Sequence, residues 1–401
     1  MPHLIFFEDE SAIDLLPLTF TRPIYFLRVG IELIETKWMR FFSHETQFGY
    51  QSRNYLKPKF QKVLPNNQPI LYINGKILPD NELVEFIKKG FSIESVLLNN
   101  NAEIIAFYSA KINLQQIDNY VTTKDIQDLK PIQWKGKEIN AIRQLPDIFR
   151  LNAQEIKKDI VYYQKHCVNH PITDKHTIVY NPENVFVGKD VKMRAAILNA
   201  EDGPIFIGNY ADIQEGSIIK GTHCIGEHSV IHPGTRLRGD STIGPHCKVG
   251  GEIQNSVLFG YSNKGHDGYL GNSIIGEWCN LGAGTTTSNL KNNYSNVQIY
   301  NYKQQKIVNS GLQFCGLIIG DHSKAGIQTM FNTGTVVGVC CNIFDAGFPP
   351  KHIPSFSWGG KDGFEKFKFE KALELAQKVM QRRGIQLSEV DIEILKEIEG
   401  Y

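Results

Sequence analysis

The sequence predicts a chain of two fold classes: an α/β domain over residues 1–165, then an all-β parallel helix of six-residue faces over 175–348, with a helical extension over 349–401. The first observation is a period. Ile207, Ile213, Ile219, Ile225, Ile231, Leu237, Ile243 and Val249 recur at steps of six, and the frame returns at Ile275 and Leu281 and again at Ile319, Ala325, Phe331, Val337 and Ile343. The second is the residue after the aliphatic, which is Gly at 208, 226, 244, 250, 276, 282, 320, 326 and 338. The third is the change near residue 185, where helical spacing gives way to short, Gly-punctuated β-rich segments.

In the repeat, each aliphatic points inward just before a corner, and Gly, which accepts left-handed backbone without steric cost, suits that corner. Three such faces make a triangular coil. One coil cannot bury its aliphatics alone, so coils stack and the aliphatics form a column. A β-sandwich also mixes aliphatics with Gly, but its strands recur at about 8–12 residues with irregular turns. In the first half, His3–Phe7, Ile70–Asn74, Ser92–Leu98 and Ile104–Phe107 read as strands. Arg28–Phe42 reads as a helix, with Val29, Leu33, Ile34, Trp38 and Phe42 near helical spacing. Leu145–Asn152 followed by Lys157–Tyr163 reads as a docking element and linker helix. Pro349-Pro350 and Trp358-Gly359-Gly360 mark the exit from the repeat. Beyond it, Gly363 to about Arg383 reads as a helix with Phe367, Ala372, Leu375, Ala376 and Val379 on its apolar side, a cap for the last coil.

Composition narrows the function classes. Hydrophobic residues make up 41% and charged residues 21%, with a net charge of +1 and no clustered basic block, so nucleic acid is not an expected partner. No stretch reaches the apolar length of a membrane span. The start, Met-Pro-His-Leu-Ile-Phe-Phe-Glu-Asp, lacks the basic-then-apolar pattern of a signal peptide. The seven cysteines form no CxxC pair and read as reduced thiols, so a cytoplasmic location is expected.

The repeat breaks over about 251–274 and about 288–317. A β-helix wall is uniform, so loops leaving it are where a site is expected. The first break contains Gly265-His266-Asp267-Gly268-Tyr269-Leu270-Gly271, and the next coil reads Ile275-Gly276-Glu277-Trp278-Cys279-Asn280-Leu281-Gly282-Ala283-Gly284-Thr285-Thr286-Thr287-Ser288-Asn289. The periodic stretch resembles the hexapeptide acyltransferases. Gly-His-x-x-Tyr-Leu-Gly followed by Ile-Gly-x-x-x-Asn-Leu-Gly-Ala-Gly-Thr-x-Thr-x-Asn is similar to the acetyltransferase half of the bifunctional N-acetylglucosamine-1-phosphate uridylyltransferase/glucosamine-1-phosphate acetyltransferases.

That resemblance implies a left-handed coil, a homotrimer and acetyl-CoA bound between neighbouring subunits. It implies that His266 is the general base, that Tyr269 and Asn280 line the sugar phosphate, and that Asn289 orients the amine or acetyl group. Ala283 and Gly326 are candidates on the acetyl-CoA side, and Glu252 and Lys264 on the sugar side. A His near neutral pKa suits the proton of an attacking amine, and a thioester needs no metal to activate it. Departures fall on phosphate grips: the family's Arg is His232, its Lys is Gln254, and the Tyr after the last Asn is Leu290. Arg236, Arg238, Lys248 or Lys264 could replace the lost cations. His223, His228, His232 and His246, with Ala211-Asp212-Ile213-Gln214-Glu215-Gly216, faintly resemble gamma-type carbonic anhydrases, but the spacing does not reproduce that zinc pattern, and no metal site is expected.

Leu16-Pro17-Leu18-Thr19-Phe20-Thr21-Arg22-Pro23-Ile24-Tyr25-Phe26-Leu27-Arg28-Val29-Gly30 and Pro69-Ile70-Leu71-Tyr72-Ile73-Asn74-Gly75-Lys76 resemble sugar-1-phosphate nucleotidyltransferases. Where that family has a Gly-rich triphosphate loop, this chain has Glu8-Asp9-Glu10-Ser11-Ala12. Where it has a catalytic Lys, this chain has Ile24, and where it has the Mg²⁺-binding Asp, it has Lys76. Arg22, Arg28, Lys37 and Lys76 are candidates for an alternative anion site, with Mg²⁺ implied only if this domain is active. The expectation is therefore a nucleotidyltransferase-like domain joined to an acetyltransferase acting on an amino sugar phosphate. The alternatives are a nucleotidyltransferase whose β-helix mainly oligomerises, and a catalytically silent scaffold that binds a nucleotide sugar.

Overall fold

The computed structural model describes residues 3–62, 64, 68–113, 117–345 and 347–401. The chain divides into two units, one of Met1–Leu15, Thr21–Leu27 and Glu32–Asp147, the other of Leu16–Phe20, Arg28–Ile31 and Ile148–Tyr401.

The first unit is built on a six-stranded mixed sheet in the order Phe48–Tyr50, His3–Phe7, Ile70–Asn74, Ile104–Ser109, Ser95–Leu98, Lys130–Gln133. His3–Phe7 and Ile70–Asn74 lie parallel with Phe7 opposite Asn74, so the turns after both strands emerge at one edge. Their continuous apolar runs suit strands covered on both sides, and all five residues of Ile70–Asn74 are buried. The expected helix over 28–42 is only Ile34–Met39. Gly30, at φ +78, breaks it: the left-handed backbone there cannot continue a right-handed helix.

The second unit is a parallel β-helix of three faces. The first face runs from Val185–Val187 to His352–Ile353. The second runs from Lys192–Met193 to Ser357–Gly360, and the third from Ile178–Tyr180 to Tyr269–Gly271. Register puts aliphatic on aliphatic: Ile207, Ile225, Ile243, Leu258, Ile275, Ile319, Val337 and Ile353 are successive partners on the first face. These side chains are essentially inaccessible, and removing one to Ala costs about 2–5 kcal/mol.

The corners work differently from the expectation. The glycines after the aliphatics are absent from the left-handed positions. They are small because the next coil is too close: a Cβ on Gly208 would lie 2.7 Å from Glu227 N, one on Gly226 2.6 Å from Pro245 N, and one on Gly338 2.3 Å from Ser355 N. At six successive corners after the first face the left-handed residue comes two positions later and carries a ring: Tyr210, His228, His246, Tyr261, Trp278 and His322, all with φ between 54 and 62. The rings stack in one column, 4.8, 4.8, 4.8, 4.2 and 6.3 Å between centroids. Left-handed backbone costs roughly 1–2 kcal/mol per residue, and stacking returns about 0.5–1.5 kcal/mol per pair.

The first break in the period is not a loop. Ile253, Leu258, Lys264 and Leu270 continue the inward column at irregular steps, because some corners are shorter, and the three faces run through unbroken. The second break does leave the wall, as an antiparallel hairpin of Gln298–Asn301 with Lys306–Asn309.

The helix Asp147–His166 lies almost wholly in the β-helix unit rather than closing the N-terminal domain at 165. Ile156, Ile160 and Tyr163 cover outward-facing Phe186, Phe206 and Cys224 of the first face. The segment Arg28–Ile31 is held there too: Asn152 Oδ1 accepts from Gly30 N at 2.8 Å and Asp159 Oδ2 from Ile31 N at 2.8 Å. The exit lies later than expected, since His352–Ile353 and Ser357–Gly360 are still wall strands. Gly363–Lys366 pairs back as a strand, and helices Phe369–Gln381 and Glu389–Glu399 follow, the second opened by a Ser388–Asp391 capping box.

Candidate active site

Most corners between the second and third faces have four residues, as in 232–235, 282–285 and 326–329, and the 194–196 corner has three. One is shorter still: Lys248–Val249 passes to Glu252–Gln254 through Gly250 and Gly251 alone. A notch results. Across it His232, two coils before, meets the corner that carries His266: a Cβ on Gly265 would lie 3.4 Å from His232 Nε2. His266 is exposed there. Burial, Lys248 and His266 together hold the His232 imidazole below its ordinary pKa. The His in place of the family's Arg thus stands beside the candidate base.

On the adjoining third face, outward side chains stack in register, Arg236 on Glu252 on Tyr269 and Arg238 on Gln254 on Gly271. Tyr269 Oη donates to Gln254 Oε1 at 3.1 Å. Asn289 Nδ2 donates to Tyr269 Oη at 3.0 Å and to Asn272 Oδ1 at 2.8 Å. Burial raises the Tyr269 phenol, Asn289 opposing. Gly271 leaves room for this: a Cβ there would lie 2.7 Å from Asn289 Nδ2 and nearer still to Tyr269 Oη. Glu252 pairs with Arg238 and, at 3.6 Å, with Arg236. Both arginines are more than half exposed, so the face carries cations where the family's grips are missing.

Other expected residues fall elsewhere. Lys264 does not face the sugar side; it is 2% exposed, inside the column. Asn280 points from the second face into a groove of about 480 Å³ shared with Lys248, Lys324, Arg382 and Arg383, away from the Tyr269–Asn289 group. Gly326 has both backbone groups engaged, its N–H on Ile343 O and its carbonyl accepting from Thr285 and Thr329, which leaves it no contact to offer acetyl-CoA. Ala283 O accepts from Gln328 N, while its N–H makes no hydrogen bond among the described residues. Asn272 was not anticipated; its position two residues after Leu270 was the available signal. His228 and His246 sit in the ring column, His223 is buried, and among the described residues no group of three or more His, Cys, Asp or Glu could hold a metal.

The four N-terminal cations do not converge. Lys76 Nζ bonds Asp9 Oδ2 and Glu103 Oε1, each at 2.6 Å, and Glu103 pairs on with Arg143 at 2.8 Å. Burial would raise Asp9 and Glu103, but Lys76 and the other donors outweigh it and hold both carboxyls below their ordinary values. Glu8 is buried against Arg53 at 3.2 Å and accepts from Ile24 N at 3.0 Å. Arg22 and Lys37 are buried. Arg28 lies in the other unit, its guanidinium donating to Phe259 O at 3.1 Å. Asp9, Lys76 and Glu103 follow or precede strands at one edge of the sheet, where open α/β sheets bind ligands, yet an ammonium sits between the carboxylates. That arrangement does not fit Mg²⁺.

Residues 4–167 match the family model described as sugar nucleotidyl transferase. The chain is 39% identical over 87 residues to the bifunctional protein GlmU of Methanococcus aeolicus, covering 22% of this chain and 20% of that protein. It is 34% identical over 93 residues to the bifunctional sugar-1-phosphate nucleotidylyltransferase/acetyltransferase of Sulfurisphaera tokodaii, covering 23% of each. The aligned part thus spans about a fifth of the length of the curated relatives it matches. The solved structure of the polySia-specific acetyltransferase NeuO covers 48% of this chain and 84% of its own, at 18% identity and a TM-score of 0.28. No helix among the described residues is long and apolar enough to cross a membrane.

Proposed function

We propose that the β-helix transfers an acetyl group from acetyl-CoA to the amine of an amino sugar phosphate, with His266 as general base. The observation that carries this is the exposed His266 corner opening beside the Tyr269–Asn289–Gln254 network, with Arg236 and Arg238 on the same face. The amine nitrogen attacks the thioester carbonyl and the carbon–sulfur bond breaks. His266 takes the proton the nitrogen sheds and returns it to the leaving thiolate. Tyr269 and Asn289 orient the acceptor, and the arginines attract its phosphate. The Ala283 N–H is a donor for the acyl-CoA side. A homotrimer is part of this reading, with Asn280 meeting the acceptor from a neighbouring subunit.

The test is thiol release from acetyl-CoA with glucosamine 1-phosphate. We expect a clear wild-type rate and a loss of about 100-fold or more in His266→Ala, the range for removing a general base. No wild-type rate with any amino sugar phosphate refutes the reading. The family match of residues 4–167 favours a second reading, nucleotidyl transfer; pyrophosphate release with several nucleotides and sugar 1-phosphates tests it. The ion-paired Asp9–Lys76–Glu103 edge argues for no release.

A further inference from the structure

On the second face the inward positions from Met193 to Ile343 are apolar except at one. Lys264 stands there, opposite Val249 in register and 2% exposed. Its Nζ donates to two corner carbonyls, Gly250 O at 3.2 Å and His266 O. A buried charge in such a column is unfavourable unless its donors are satisfied.

The neighbouring corners show what the ammonium replaces. At four of the other corners the last residue is a buried hydroxyl that donates to the carbonyl of a first corner residue, and the 194–196 corner ends in Ala196. Ser217 and Thr235 both donate to His232 O, at 3.0 and 2.6 Å, and Thr285 and Thr329 both donate to Gly326 O, at 3.1 and 2.9 Å. Two successive corners lack that hydroxyl. The 250–251 corner is too short to have the residue, and the 265–268 corner ends in Gly268, at φ +125 and against Thr285 O, where a Cβ cannot fit. These are the corners that form the His232–His266 notch. The notch therefore lies where hydroxyl bracing has been given up, and Lys264 reaches one carbonyl in each of the two corners from inside.

We propose that Lys264 is a positioning residue: its buried amine braces the Gly250 and His266 corners from within the column and so fixes the His266 backbone, and with it the imidazole, toward the acceptor amine. This rests on the acyl-transfer reading above. Burial pushes the Lys264 ammonium down to about 8, Asp267 opposing, but the neutral amine still has hydrogens for both carbonyls, so bracing persists across that pH.

The experiment compares wild type, Lys264→Met, His266→Ala and the double variant, with Lys264→Gln retaining a donor on a shorter arm. We expect Lys264→Met to melt no lower than wild type, to keep KM for acetyl-CoA within about twofold, and to lose roughly 10- to 100-fold in kcat, the scale of a small misplacement of a reacting group. Lys264→Gln should fall between. The double variant should be no slower than His266→Ala, because bracing has nothing left to position. Amide hydrogen exchange at 265–268 should quicken in Lys264→Met whether or not transfer is observed, which separates the brace from the choice of reaction. Unchanged exchange there, or a kcat equal to wild type alongside an inactive His266→Ala, would overturn the proposal.

Discussion

Each unit gathers polar side chains where its fold favours a ligand, and the two groups behave oppositely. At the strand-end edge of the N-terminal sheet, Asp9, Lys76, Glu103 and Arg143 neutralise one another in a chain of short contacts. On the β-helix, His266 is exposed, the Tyr269–Asn289–Gln254 bonds are neutral, and Arg236 and Arg238 share the single carboxylate of Glu252, which leaves that group a net positive charge. The difference is one of partners. Charges satisfied by their own chain stabilise it and resist a substrate, whereas groups held by neutral hydrogen bonds stay available. The family model matches residues 4–167; the chemistry we propose belongs to the second unit.

The largest effect that would break this comparison lies in activity. His266→Ala should cost about 100-fold or more in acyl transfer, while Lys76→Met should leave transfer within about twofold, both measured by thiol release. A Lys76→Met enzyme as dead as His266→Ala would mean the two units are not separable in function.

Stability comes next, and here the order reverses. Lys76→Met leaves the partly buried Asp9 without its cation and Glu103 with Arg143 alone and should destabilise by about 3 kcal/mol, read as a denaturant midpoint; His266→Ala should change it by less than about 0.5 kcal/mol. The pH dependence has a definite sign. Asp9 and Glu103 are depressed in the folded state, so their contribution is full above the unfolded carboxyl range and is lost as pH falls through the folded values. The wild-type advantage over Lys76→Met should therefore shrink as pH drops from 5 toward 3, taking about 4 as the unfolded value. A constant difference across that window would show that the pairs contribute nothing.

A smaller effect sharpens the account of the corners. Gly226→Ala, which forces a Cβ against Pro245 N at 2.6 Å, should destabilise more than Gly234→Ala, where φ is +68 and nothing lies within 4 Å. Left-handed strain alone costs about 1–2 kcal/mol. Equal losses would return the glycines after the aliphatics to a conformational role. The smallest expected change is in binding: Arg238→Ala should raise the acceptor KM by about 5-fold with kcat little altered, as expected for one exposed charge-assisted contact.

The strands His3–Phe7 and Ile70–Asn74 were legible to the residue because runs of four apolar positions, Leu4–Phe7 and Ile70–Ile73, bounded by polar residues leave few alternatives. The helix over 28–42 was not, since Gly30 and the demand of Asn152 and Asp159 for its backbone lie far apart in sequence. Of the candidate site, His266, Tyr269 and Asn289 were readable from their motif, and the structure gathers Tyr269 and Asn289 through direct bonds. Lys264 looked like a surface cation because its frame is hidden by short corners; once Ile253, Leu258 and Leu270 are seen to point inward, its place in the column follows.

What the sequence determined by itself was the repeat, because a six-residue period is a local constraint that every coil obeys. Only the tertiary structure decided what the irregularities mean. Shortening one corner to Gly250-Gly251 brings His232 against the His266 corner, turns Lys264 inward under it, and leaves Asn280 on a different face. Those outcomes depend on which coil lies above which, and stacking distance is a property of pairs of coils that no single stretch of sequence carries.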